Sequence, residues 1–230
     1  MRRSMQKGKL PEKDMQSEPF TPITKHGVYT NNMEQGNTRL EQQMRFIFEL
    51  EKLKVVYRQN GTHGGERREN SAEHSWHAAL MALILREYCK EKIDTEKTLA
   101  MLLIHDTVEI YAGDVFLYDE NARENIKPAE KEAARKIFGL LPDDQKKYFT
   151  ELWEEFEKAQ TPEAQYARVL DNLQPVLNHC AVNNQNIVTK SLTKAQIIKK
   201  KAFIKDFSEE LWEFMLRVID KSVAMGLCKK

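Results

Sequence analysis

Six apolar residues, Leu99-Ala100-Met101-Leu102-Leu103-Ile104, run without interruption into His105-Asp106. A helical run of that kind is buried nearly all round, so the residues just past it start inside the protein. An ionised aspartate at such a place is costly unless it is paired or binds a cation. Glu109 stands four residues past His105 and three past Asp106, positions that share a face if one helix spans Thr95 to Tyr111. The chain must therefore enclose a His, an Asp and a Glu on one buried helix. A salt-bridged helix end and a metal site both answer that requirement.

The rest of the chain reads as helices that could enclose it. Leu40, Met44, Ile47 and Leu50 recur at helical spacing from Arg39 onward. Ala72, Trp76, Leu80, Leu83 and Ile84 form a stripe on a helix from Ser71 to Lys90, with Ser71 as its N-cap. Gly113 is placed to end the helix that carries His105. Prolines open three more helices, 128–140, 142–158 and 162–183, with a kink expected at Pro175. Segments 194–205 and 208–225 finish the chain. The stretch from Val55 to Asn70 holds three glycines and reads as a loop, and no run alternates as a strand would. The pattern predicts an all-α, compact single-domain helical bundle over residues 37–230. Residues 1–36, polar and interrupted by Pro11, Pro19 and Pro22, read as a weakly ordered N-terminal extension.

Charge and cysteine usage narrow the function. Lys plus Arg total 36 against 35 Asp plus Glu, a balance that suits neither a nucleic-acid polymer nor an anionic membrane as partner. Three cysteines, Cys89, Cys180 and Cys228, lie far apart with no C-x-x-C pair, which disfavours a disulfide framework and a thiolate zinc site and points to the cytoplasm. No apolar run approaches the ~20 residues of a membrane span, and no apolar stretch comes after Met1-Arg2-Arg3 as a secretory signal would require.

Other polar residues share the apolar setting of His105-Asp106. His74 and His77 lie about one turn apart on the preceding helix, and spacing alone does not choose between them. Asp171 sits among Val169, Leu170, Leu173, Val176 and Leu177, and needs either a salt-bridge partner or a cation. Two imidazoles and two carboxylates from three helices suit one divalent ion, namely manganese, cobalt, iron, nickel or zinc, with magnesium also admissible. A water made more acidic by such an ion is a nucleophile near neutral pH.

His74, His105-Asp106 and Asp171, in that order, resemble the H…HD…D signature of the HD-domain metal-dependent phosphohydrolases, most closely the small 5′-deoxynucleotidase-like members. The likeness covers about residues 38 to 185. Leu53-Lys54-Val55-Val56-Tyr57-Arg58 resembles the segment that bears a phosphate-contacting arginine in that group. Glu69-Asn70-Ser71-Ala72-Glu73-His74-Ser75 resembles the segment of the first ligand, which selects His74 over His77. His105-Asp106-Thr107-Val108-Glu109 matches the HD-x-x-E core, Gly113-Asp114 matches a Gly-Asp pair soon after it, and Leu170-Asp171-Asn172-Leu173 resembles the segment of the last ligand. The resemblance implies that His74, His105, Asp106 and Asp171 hold the metal and that Glu109 is the general acid or base. It implies further that Arg58 contacts the phosphate and Asp114 the sugar, with Arg67 as an additional residue lining the site. It also allows a homodimer, for which Leu211, Trp212, Phe214, Met215 and Leu216 offer an interface or, equally, a core contact.

The implied substrate is a small-molecule nucleotide or other phosphate ester, with a (deoxy)nucleoside 5′-monophosphate foremost. Three alternatives stand beside it. Alarmone hydrolases have an acidic pair after HD-x-x, whereas Glu109 is followed here by Ile110. Cyclic-dinucleotide phosphodiesterases carry a Gly-Tyr-Pro motif that is absent here. A scaffold that merely keeps a metal has no need of Glu109, Arg58 and Asp114. One departure bears on the substrate: the aromatic residue that usually follows the phosphate arginine is replaced by Gln59. His63, His179, the basic run Lys199-Lys200-Lys201 and the acidic stretch from Glu151 to Glu157 read as structural or solvated positions.

Overall fold

The computed structural model describes residues 38–62, 67–181 and 191–230, without the side chains of 179–181. The expected N-terminal extension, His63 and the side chain of His179 lie outside the described residues.

The described residues are helical apart from one small hairpin, as an all-α fold requires. Helix α1 (Arg39–Leu50) begins at a reciprocal cap in which the Thr38 hydroxyl accepts from the Glu41 backbone and the Glu41 carboxylate accepts from the Thr38 backbone. A 3-10 turn, Glu51–Val55, leads into β1 (Tyr57–Gly61), which pairs antiparallel with β2 (Arg68–Asn70). This hairpin occupies the stretch that reads as a loop. Its strands are short and largely polar, so the apolar alternation that betrays a strand is missing.

Helix α2 (Ser71–Ile84) has its cap one residue earlier than expected. Asn70, not Ser71, is the N-cap, and Glu73 closes the capping box. A larger correction concerns its faces. The stripe of Trp76, Leu80, Leu83 and Ile84 points outward, with Trp76 61% and Ile84 70% exposed. The buried side carries His74, Ser75, Ala78, Met81 and Ala82 instead. Alanines at these positions let α2 approach α3 (Thr95–Ile104) and α7 (Pro162–Ala181) closely, and close approach rather than side-chain size selects this face.

The segment 95–111 is not one helix. Helix α3 gives way to a 3-10 turn at His105–Val108, and α4 (Glu109–Ala112) comes next. The cause is local. His105 Nδ1 donates to the Leu102 carbonyl at 2.9 Å and Thr107 Oγ1 to the Ile104 carbonyl at 2.7 Å. These side chains compete for acceptors that a continuing α-helix would use, and the backbone tightens. Gly113, at φ +80°, ends α4 in a conformation that an L side chain rarely adopts.

Helix α5 (Glu120–Phe138) contains Pro128 rather than starting at it. Pro128 is exposed, so the carbonyl deprived of its donor can be hydrated. Helix α6 (Asp143–Lys158) starts just after Pro142, and its Phe149 stacks on Phe46 and Phe138 in the core. Helix α7 is the hub of the fold, packing on α2, α3, α6 and on α9 (Phe203–Phe207) and α10 (Glu209–Ala224). Leu211 and Met215 of α10 are buried, whereas Phe214 is exposed. Between α7 and α9, α8 (Lys194–Lys201) ends at a lysine that is itself buried. No helix among the described residues is long and apolar enough to cross a membrane.

Candidate metal centre

Three elements converge at the mouth of α7. Helix α2 supplies His74 in its first turn, the 3-10 turn supplies His105 and Asp106, and α7 supplies Asp171. Ligand atoms of His74, His105 and Asp171 all lie within 4.8 Å of one another. His74 Nε2 is 3.0 Å from Asp171 Oδ1 and 3.9 Å from Asp106 Oδ2. His105 Nε2 is 3.1 Å from Asp106 Oδ1 and 3.5 Å from Asp171 Oδ1. His77 stands apart from this group, with its Nδ1 3.2 Å from Gln174 Nε2.

The outer nitrogens of the two rings define their proton states. His74 Nδ1 lies 2.8 Å from Gln174 Oε1, while the amide nitrogen of Gln174 donates to Glu69 Oε1 at 2.7 Å. The amide is thereby oriented with its oxygen toward His74, so Nδ1 carries the hydrogen. His105 Nδ1 donates to a backbone carbonyl, with the same consequence. Nε2 of both rings then faces carboxylate oxygens, an arrangement that requires a proton or a metal cation between them. Nε2 of His105 is buried and has no hydrogen-bond partner among the described residues. Packing of the His105 ring on Phe156, with centroids 4.8 Å apart, holds that orientation.

The electrostatics agree. Burial works against a charged His105, yet the carboxylates of Asp106 and Asp171 raise its imidazole to about 9. Burial likewise opposes the charge on Asp171, but the imidazoles of His105 and His74 beside it hold its carboxyl well below the usual range. The cluster thus attracts positive charge, which a proton or a divalent ion can supply. Two imidazole nitrogens with carboxylate oxygens are the donors such an ion takes, so the residues fit it.

A cavity of about 420 Å³ opens beside the cluster, lined by His105, Asp106, Asp171, Arg58, Glu109 and Asp114 among others. Arg58 projects from β1, with Nη1 2.5 Å from Asp106 Oδ2 and 3.8 Å from Glu109 Oε1. Burial opposes the Arg58 charge, but Asp106 and Glu109 hold it firmly protonated. Glu109 is pushed well above the usual carboxyl range, first by burial and then by Asp106, with Arg58 opposing. Ser71, relieved of capping, donates its hydroxyl to Glu109 Oε2 at 2.5 Å. Asp114 is raised chiefly by burial. Arg67 is not brought to the cavity: it is exposed and pairs bidentately with Glu73, at 2.8 and 2.6 Å.

The HD-domain family model matches residues 50–212, a span that includes every residue of the cluster. This chain belongs to the HD-domain family. Among solved structures, a protein from Magnetospirillum magnetotacticum named as a predicted metal-dependent phosphohydrolase is 38% identical, covers 84% of this chain and 100% of its own, and superposes with a TM-score of 0.77. A mouse 5′-deoxynucleotidase is 30% identical over 58% of this chain and 66% of its own length. The human counterpart is matched over only 53% of its length. A 5′-deoxynucleotidase of Shigella dysenteriae is 24% identical over 74% of this chain and 90% of its own.

Several residues of this HD-domain site escape a reading of the sequence. Gln174 is wholly buried three positions past Asp171, a polar residue on the same apolar face, and that placement was a usable signal. Asn172 donates from Nδ2 to Asp171 Oδ2 at 3.0 Å. Glu157, expected on a solvated stripe, lines the cavity. Lys201, expected on a solvated face, is 2% exposed and lines the same cavity. A run of three lysines offers no hint of which one the fold will bury.

Proposed function

We propose that this chain is a metal-dependent phosphohydrolase that removes phosphate from nucleoside 5′-monophosphates, with deoxyribonucleotides as preferred substrates. The observation that carries this reading is the pair of imidazole Nε2 atoms facing Asp106 and Asp171, in the wall of a cavity that also holds Arg58, Glu109 and Asp114. A structural metal site needs no such neighbours. The names of the relatives supply the substrate class.

In this reading His74, His105, Asp106 and Asp171 hold one divalent ion of the manganese-to-zinc group, which when bound supplies positive charge and a more acidic water. Arg58 exchanges its bond to Asp106 for oxygens of the phosphate, which its planar fork pairs two at a time. Glu109, fixed by the Ser71 hydroxyl, moves the proton. The bond from phosphorus to the ester oxygen breaks, a bond to the water oxygen forms, and the proton ends on the departing 5′ oxygen. Asp114 accepts from a sugar hydroxyl. Gln59 lines the cavity where relatives of this type place an aromatic ring, so base selection rests on other walls. The reading also expects a cytoplasmic enzyme.

A phosphate-release screen with manganese or cobalt tests it, across ribo- and deoxyribonucleoside monophosphates, alarmones, cyclic dinucleotides and an aryl phosphate. Deoxyribonucleoside monophosphates should be hydrolysed fastest; release only from alarmones or cyclic dinucleotides would overturn the reading. Glu109→Ala should keep the metal and lose about 10²–10⁴-fold in rate. An unchanged rate removes Glu109 from the chemistry.

A further inference from the structure

Lys201 is the last residue of α8, 2% exposed, and lines the cavity that holds the metal cluster. An ammonium has three donors. One is used: Nζ donates to Asn172 Oδ1 at 2.6 Å. That acceptor is neutral, and no carboxylate lies within 4.0 Å of Nζ among the described residues. Asp171 attracts the charge from further off, but its Oδ1 is engaged by His74 and its Oδ2 by the Asn172 amide. Lys201 is thus a buried cation without a paired anion, which proteins rarely tolerate unless something else supplies the charge. Burial pushes its amine down to about 7, against the pull of Asp171.

Arg58, the cation in contact with the cluster carboxylates, is in the opposite condition. Arg58 is neutralised by Asp106 at 2.5 Å and has Glu109 3.8 Å away. Among the cations that line the cavity, Arg58 is paired, whereas Lys201 has donors to spare.

We propose that Lys201 is a substrate-binding residue whose ammonium takes the anionic phosphate group of the nucleotide, from the side of the cavity formed by α8 and Asn172. The proposal rests on the phosphohydrolase reading for the identity of the anion. It adds to that reading a contact which no motif of the chain indicates. Asn172 serves both ends: its Oδ1 orients Lys201 and its Nδ2 orients Asp171, so the phosphate-binding amine and the metal-facing carboxylate are held in one register.

Inorganic phosphate is the probe. Its binding to the metal-loaded full chain is measured by calorimetry, alongside metal content, thermal unfolding and steady-state kinetics on a deoxyribonucleoside monophosphate. Lys201→Met, which removes the charge and keeps the bulk, should weaken phosphate binding at least tenfold and raise KM, with about one metal ion per chain retained. Lys201→Arg should restore most of the phosphate affinity. Lys201→Gln keeps a donor for Asn172 without the charge, and should be as defective as Lys201→Met. A merely structural lysine would instead show its loss in metal content or unfolding, with phosphate affinity unmoved in the folded protein.

Phosphate binding equal to that of the native chain in Lys201→Met or Lys201→Gln overturns the proposal. So does failure of both variants to fold, and so does a defect that appears with the phosphate-free deoxynucleoside but not with phosphate. If the native chain hydrolyses no nucleotide yet binds phosphate through Lys201, the substrate reading falls and the assignment of Lys201 stands.

Discussion

The two faces of α2 depart from ordinary burial in opposite senses. Its inner face buries Ser71, His74 and Ser75 beside small alanines, and its outer face exposes Trp76, Leu80, Leu83 and Ile84. Hydrophobicity alone would turn this helix round. What holds it is specific pairing inside: His74 to Gln174 and Asp171, Ser71 to Glu109, and the Asn70–Glu73 cap that fixes where the first turn starts. Polar groups that find partners, as Ser71 and His74 do, can be buried cheaply, whereas Ser75 Oγ on the same face finds none among the described residues. The inner face is therefore a site first and a packing surface second. The outer face is free of that constraint.

Two faces so different should be unequally sensitive to substitution, most of all at the innermost residue. His74→Ala should remove the bound ion altogether, taking metal content from about one per chain toward none, and activity with it. Elemental analysis of the purified variant decides the matter, and full metal occupancy would remove His74 from the ligand set. Gln174→Leu should act more gently. It leaves His74 in place but takes away the acceptor that fixes its tautomer, and metal affinity should fall about 10–100-fold. Metal titration with a competing chelator measures this. An affinity equal to that of the native chain would mean that the orientation of His74 is set by packing alone.

The same contrast governs how much of the molecule is legible in its sequence. His105-Asp106 and Asp171 announce themselves because charge in an apolar run demands an explanation, helical spacing adds Glu109, and the family pattern selects His74 over His77. Helical periodicity recovers the bundle, with Gly113 at its expected stop. Three features lie out of reach, each for a physical reason. The 3-10 turn at His105–Val108 comes from side chains competing for backbone acceptors, and periodicity does not report that competition. The hairpin from Tyr57 to Asn70 is polar, so it lacks a strand's signature. Lys201 is buried by the return of α8 toward α7, a tertiary event that no local pattern encodes, while Arg67 beside the motif is drawn away by Glu73.

The smallest effect should come from the outer face. Leu83→Gln changes a side chain that is half exposed and has no role in the hydrogen-bonding of the cluster. Surface substitutions of this kind are usually worth within about 0.5 kcal/mol. We expect thermal stability, metal content and kcat all to stay close to those of the native chain, as measured by calorimetry, elemental analysis and phosphate release. The outcome that would break the comparison is a loss of more than about 2 kcal/mol, the size associated with an apolar side chain taken out of a buried environment. Such a loss would mean that Trp76, Leu80, Leu83 and Ile84 are covered in solution. Sedimentation would then show whether a second copy covers them, since Leu83→Gln should shift a self-associating chain toward monomer and leave a monomeric one unchanged. Stability and sedimentation both unchanged would leave the inner face of α2 as the one that holds the helix in register.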